Sequence, residues 1–166
     1  MAKRVSCTDK VELVVPCKPE YVRSVRTLAA DIAGSMRLSA KCIEDLKVAV
    51  SEAVSNVVRH AYVDKCSAMP VVIVFQRNNR ELTIEVSDQG VGFQPPPEGH
   101  VYALDRSREG GLGIILIREL MDGVFYWSEP GHGTRIRMSK SVHDVIHPPE
   151  TKEGGLPSSL EPSHSV

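Results

Sequence analysis

From Ser39 to Tyr62 the apolar residues of this chain keep to one stripe. Ile43, Leu46, Val50, Ala53, Val54, Val57 and Ala61 return at intervals that match one face of an α-helix. A strand cannot carry that spacing, because its side chains alternate sides at every residue. Ser39, just ahead of the stripe, is suited to cap the first turn, and the helix is expected to end near Tyr62. A long one-faced helix must lay its stripe against a second layer. Leu82, Ile84 and Val86 alternate with Thr83, Glu85 and Ser87, the pattern of a half-exposed strand. One helix period and one strand period side by side point to an α/β two-layer domain.

The remaining segments fill in the order. Val11–Val15 reads as a strand ended by Pro16. Pro19 suits the first turn of a helix, and Tyr21, Val22, Val25, Leu28, Ala29 and Ile32 continue it to Ala33, with Gly34 and Ser35 closing it. Pro70–Gln76 is apolar and β-branched, as a strand buried on both faces would be. A turn at Arg77–Arg80 leads into the alternating strand. Phe93–Arg108, with Pro95, Pro96 and Pro97, reads as a long loop. Gly111–Asp122 is expected to be a helix with Leu112, Ile115, Leu116, Leu120 and Met121 inward. Val124–Trp127 and Thr134–Met138 form a hairpin across Glu129–Gly133. The fold expected is α+β: one mixed, mostly antiparallel sheet with helices on one face. The domain is expected to occupy residues 1–142, with a disordered Pro- and Ser-rich tail over 143–166.

Bulk properties exclude several classes. A formal net charge of -1 gives no electrostatic case for nucleic acid or an anionic membrane. The apolar runs are too short to span a bilayer, and the first residues lack a secretory signal. Cys7, Cys17, Cys42 and Cys66 are scattered without metal-ligand spacing, so reduced thiols in a cytoplasmic protein are expected.

Three short stretches carry chemistry. Glu52 and Asn56 are one helical turn apart, about 6 Å along the axis, with Ser55, Arg59 and His60 beside them. An asparagine there can give its carbonyl oxygen to Mg²⁺, which takes phosphate oxygens and waters for its other positions. A glutamate one turn earlier can take a proton from a group attacking a phosphate. Asp88 ends an apolar strand, where a partly buried carboxylate needs a donor; the exocyclic amine of adenine is one. Gly90 and Gly92 let the backbone turn and approach a flat base. Gly110, Gly111 and Gly113 open an apolar helix, whose free N–H groups attract phosphate. No Walker A pattern follows them. Arg106 and Arg108 precede the glycines within reach of a γ-phosphate, and Thr134 is placed to reach a base. Each pattern also occurs in ordinary helix edges, turns and loops. Their order and spacing carry the reading.

Together these residues resemble the GHKL ATPase superfamily, and within it the small anti-sigma-factor serine/threonine kinases. Ser51–Tyr62 is similar to that family's N-box, Asp88-Gln89-Gly90-Val91-Gly92-Phe93 to its adenine box, and Gly110-Gly111-Leu112-Gly113 to its second glycine box. Gly133-Thr134 is similar to its last adenine contact, and the resemblance runs from about Val11 to Lys140. It implies the Bergerat sandwich and ATP with Mg²⁺. Asn56 would hold the metal and Glu52 would be the catalytic base. Asp88 would accept from adenine, and Gly90, Gly92, Gly111, Leu112, Gly113 and Thr134 would line the pocket. The implied partners are an antagonist (anti-anti-sigma) protein, a sigma factor and a second copy of the chain. One departure stands out: the lid position two residues before Gly-x-Gly, arginine in well-studied members, is Glu109 here, with Arg108 one residue back. Arg108 is then the expected lid cation. The readings that follow are a protein kinase, an ATP-gated binding protein without useful turnover, or an ATP-hydrolysing piece of a larger machine.

Overall fold

A computed structural model of the chain describes residues 9–61, 69–92 and 111–142. The elements run β1 (Asp9–Pro16), α1 (Glu20–Ser35), α2 (Ala40–His60), β2 (Pro70–Arg77), β3 (Glu81–Ser87), α3 (Gly111–Leu120), β4 (Gly123–Glu129) and β5 (Gly133–Ser141). The five strands form one sheet in the order β1-β2-β3-β5-β4. The sequence pattern allowed a mixed sheet; all four pairings are antiparallel. The segment through α3 carries the chain past the slot beside β3 to the far edge, and the β4–β5 hairpin returns to fill that slot.

Local chemistry explains the helix ends. The Ser39 side chain accepts a hydrogen bond from the Cys42 N–H, which caps α2 as its sequence suggests. Pro19 lies at the start of α1, where its carbonyl accepts from the Val22 N–H and its own missing N–H costs nothing. At the other end of α1 the reversal falls on Arg37 (φ 58°), not on Gly34. The Leu38 N–H reaches back to the Ala33 carbonyl and the Arg37 N–H to that of Gly34. That pairing is the Schellman closure, and it puts a left-handed residue after the helix.

The core lies between the helices and one face of the sheet. Val71, Ile73 and Phe75 of β2, Leu82, Ile84 and Val86 of β3, and Ile136 and Met138 of β5 meet Leu46, Ala49, Val50, Ala53, Val54 and Val57 of α2, all buried. Register keeps these strand residues on one face, since Ile73 pairs with Val86, Val86 with Ile136, and Ile84 with Met138. The expectation that β2 is buried on both faces is corrected: Val72 and Val74, which point away from the helices, are only half-buried. Among the described residues no second layer covers that outer face.

The third helix also differs from expectation. It ends at Leu120, Ile117 is its fully buried anchor and Leu116 is 39% exposed, while Met121, just beyond the helix, is buried as expected. Its run Ile114–Ile117 is apolar all round, which gives the sequence no stripe from which to choose a face. Its end is pinned to β5: Lys140 Nζ donates to the Leu120 carbonyl and to Asp122 Oδ1, both at 3.0 Å, and the Ser141 N–H donates to Asp122 Oδ2 at 2.7 Å. Among the described residues no helix is long and apolar enough to cross a membrane.

Candidate functional site

The core places Glu52 and Asn56 on the flank of α2, next to the buried Ala53 and Val57 stripe. Helix α3 begins directly over them. A β-carbon on Gly113 would lie 2.8 Å from Glu52 Oε2 and 3.3 Å from Asn56 Nδ2, so the bare backbone of Gly113 is what admits both side chains. Asn56 Oδ1 is buried and has no hydrogen-bond partner among the described residues. An orphaned amide oxygen is costly, and a cation removes the cost. One oxygen is enough for Mg²⁺, which keeps most of its shell as water and phosphate. Glu52 Oε2 takes a long contact of 3.5 Å from Arg59 Nη2, while Arg59 Nε is held by the Ser55 carbonyl. Arg59 is exposed and Glu52 half-buried, and at 3.5 Å the pair orients more than it stabilises.

At the other end of α2 the loop after β3 is welded into place. Asp88 is 8% exposed; its Oδ1 accepts the Gly90 N–H at 2.8 Å. Burial pushes its carboxyl above the ordinary aspartate value, and the N–H groups of Gly90 and Thr134 offset part of that rise. The Val91 N–H donates to the Ala61 carbonyl at 2.7 Å, the Gly131 N–H to Val91 at 2.7 Å, and the Asp88 N–H to Thr134 at 2.9 Å. The end of α2, the Asp88–Gly92 loop and the β4–β5 turn therefore form one backbone-bonded unit. A β-carbon on Gly90 would fall 2.0 Å from the Ala61 carbonyl oxygen, and Gly92 stands at φ 63° with Glu129 equally close. In this structure the two glycines serve backbone-to-backbone contact inside the protein; that contact fixes the shape of the loop offered to a base.

The structure thus brings Glu52, Asn56 and Gly113 together, and separately Asp88, Gly90, Gly92 and Thr134, with α2 bridging the groups. Gly111 and Leu112 open α3 as expected. Arg106, Arg108 and the Pro-rich loop lie outside the described residues, as do the tail and Tyr62. Sequence reasoning missed three contributors. Ser128 Oγ lies 3.0 Å from Thr134 Oγ1 across the hairpin and fixes that hydroxyl. Ala61 supplies the carbonyl on which the loop rests. Cys17 follows β1 and reaches the site; burial, and then the nearby Asp88 charge, push its thiol up. Only the register of finished strands could have revealed Ser128 and Cys17.

A buried carboxylate just after β3 and an orphaned amide oxygen on α2 have the chemistry that the two ends of a nucleotide require. Comparison with known proteins gives the same answer: residues 15–140 match the model of the histidine kinase-like ATPase domain. This chain belongs to that family. ATP is accordingly the nucleotide of the histidine kinase-like ATPase domain described here. Its curated relatives include "Serine-protein kinase RsbW" of Oceanobacillus iheyensis, 38% identical over 81% of this chain and 87% of the relative. The protein of that name from Bacillus licheniformis is 38% identical over 74% of this chain and 81% of its own. The one from Staphylococcus aureus is 36% identical over 81% and 87%.

Proposed function

We propose that this protein is a serine/threonine protein kinase that works as an anti-sigma regulatory factor, binding a sigma factor and phosphorylating its antagonist. The observation that carries the reading is Asn56 Oδ1, buried one helical turn from Glu52 with no partner among the described residues. The relatives named as serine-protein kinases over most of the chain support it.

In this reading adenine enters beside Asp88, whose carboxylate accepts from the exocyclic amine while the Gly90 and Gly92 backbone shapes the wall. Thr134, held by Ser128, faces the same base. The N–H groups that open α3 at Gly111, Leu112 and Gly113 meet the phosphates. Mg²⁺, held by Asn56, neutralises phosphate charge when bound. The substrate hydroxyl oxygen bonds to the γ-phosphorus as the bond to ADP breaks, and its proton passes to Glu52. Arg108 is the chain's candidate for the cation on the transferring group. A cytoplasmic setting and a homodimer belong to the same proposal.

The test incubates the full chain with Mg·ATP and a candidate antagonist (anti-anti-sigma) protein from the same organism, and reads phosphoserine or phosphothreonine by mass. Transfer supports the kinase. ATP binding without transfer would leave the ATP-gated binder as the correct description. No heat of binding with Mg·ATP in folded protein would remove both.

A further inference from the structure

We propose that Arg59 is a positioning residue for Glu52: its guanidinium, anchored on the Ser55 carbonyl, holds the Glu52 carboxylate in the orientation that takes the proton of the attacking hydroxyl. The inference rests on the reading of Glu52 as the base. Seven residues make almost two whole helical turns, so Arg59 stands in line with Glu52 along α2, about 10.5 Å further on. A helical side chain leans toward the N-terminus, so Arg59 leans back toward Glu52 over the turn that carries Ser55 and Asn56. Its Nε donates to the Ser55 carbonyl at 3.2 Å, and its Nη2 reaches Glu52 Oε2 at 3.5 Å. The carbonyl can accept this bond as well as the helical one, because it has two lone pairs.

The anchor is what gives a weak contact a direction. The Arg59 side chain is 54% exposed, so as an ion pair the contact adds little to stability. An arginine this exposed would otherwise sample many rotamers. The bond from Nε fixes the plane of the guanidinium, and with it the line along which Nη2 points. The same carboxylate oxygen is confined from the other side. A β-carbon on Gly113 would fall 2.8 Å from Glu52 Oε2, so the head of α3 closes on the oxygen that Arg59 engages. Oε2 is thus held between a guanidinium on α2 and a glycine backbone on α3. Oε1 has no partner among the described residues, and it is the oxygen left to accept the proton. A lysine could not reproduce the arrangement. Its ammonium is a point charge at the end of a flexible stem, without the fork that reaches the carbonyl and the carboxylate together.

The experiment is a double-mutant cycle on the full chain. It is read by single-turnover phosphate transfer from Mg·ATP to a candidate antagonist (anti-anti-sigma) protein, with ATP affinity measured by calorimetry on each variant. Arg59→Met keeps the apolar stem and the helix propensity and removes the guanidinium. It should slow transfer by at least about fivefold, the reach of an exposed ion pair, with ATP affinity unchanged. Arg59→Lys should be slowed as much. Glu52→Asp draws the carboxylate back by one methylene, away from Nη2, and in that background Arg59→Met should slow transfer no further. Transfer at the parent rate in either Arg59 variant overturns the proposal. So does a loss of ATP affinity in Arg59→Met, or a slowing that persists in full beside Glu52→Asp, because each would put Arg59 on the nucleotide and not on the base. Failure of the underlying reading shows separately: Glu52→Ala would then transfer at the parent rate, or the parent chain would not transfer at all.

Discussion

Replacing Gly113 with alanine separates two reasons for a glycine at the head of α3. Gly113 has no left-handed backbone, unlike Gly92, Gly131 and Gly133, so conformational freedom is not its purpose. The added methyl would sit 2.8 Å from Glu52 Oε2, closer than carbon and oxygen tolerate, and 3.3 Å from Asn56 Nδ2. Glu52 Oε2 is the free end of a flexible side chain, so the carboxylate moves and the backbone stays. Alanine gains about 0.5–1 kcal/mol over glycine inside a helix. Disturbing the exposed Glu52–Arg59 pair costs about 0–1 kcal/mol. Net stability changes by about 1 kcal/mol at most, which for a domain of this size moves the unfolding midpoint by about 2–4 °C. A catalytic base displaced by about 1 Å loses about a hundredfold in transfer. The measurement is single-turnover phosphate transfer to the antagonist protein, with Mg·ATP calorimetry and a thermal scan on the same material. Transfer at the parent rate in a folded Gly113→Ala protein would refute the placement of Glu52 as base. A large fall in stability would refute the claim that the glycine serves the site rather than the fold.

Glu52→Ala should keep ATP affinity and lose transfer, whereas Asp88→Ala should lose ATP itself because the buried adenine contact disappears; calorimetry and transfer assays on the two variants check both. The pH dependence follows from the raised Asp88 carboxyl: adenine needs the ionised acceptor, so nucleotide affinity should fall on acidification at a pH above the ordinary value of 3.8. The stability term has the opposite sense, since a carboxyl raised by folding contributes most below its unfolded value and loses that contribution as pH rises toward its folded one. Asp88→Asn, free of that charge, should accordingly gain thermal stability over the parent as pH rises, with the gain levelling off above the folded value; a gain that is the same at every pH counts against buried charge. Gly90→Ala should cost about 3 kcal/mol or more, since its β-carbon meets the Ala61 carbonyl rather than a movable side chain, and chemical denaturation will show whether it does.

Most of the architecture was legible because local periods agree with the packing. The α2 stripe, the Ser39 cap, the β3 alternation and the hairpin around Gly131 all follow from neighbouring residues. The failures share one cause. The face of β2 and the buried side of α3 depend on what lies opposite, and apolar runs such as Val71–Phe75 and Ile114–Ile117 look the same whether one side or both is covered. The site was legible in its residue types and order. Its physical reasons were not. Gly90 and Gly92 were expected to clear space for a base; the structure gives them to the Ala61 and Glu129 backbones. Arg37 took the left-handed turn that Gly34 was better suited to, because the closure depends on where Ala33 and Leu38 can meet.

The arrangement also explains why one helix can carry both ends of the site. Near its middle α2 presents Glu52 and Asn56, and at its end the Ala61 carbonyl holds the loop that carries Asp88. Ala53, Val54 and Val57, buried between these points, fix α2 against the sheet, so the distance between the proposed metal side and the proposed adenine side is set by the core and not by a loop. Helix α3 closes over the same stretch of α2 from above. Its far end is tied by Lys140 and Asp122, Ile117 is buried in the core, and at its head the backbone of Gly113 lies against Glu52 and Asn56. A rigid ruler beneath and a helix pinned at one end above is the division of labour a phosphate-transfer site needs. In the proposed site Glu52 and Asp88 are held in register by α2, and the start of α3 would face the phosphates.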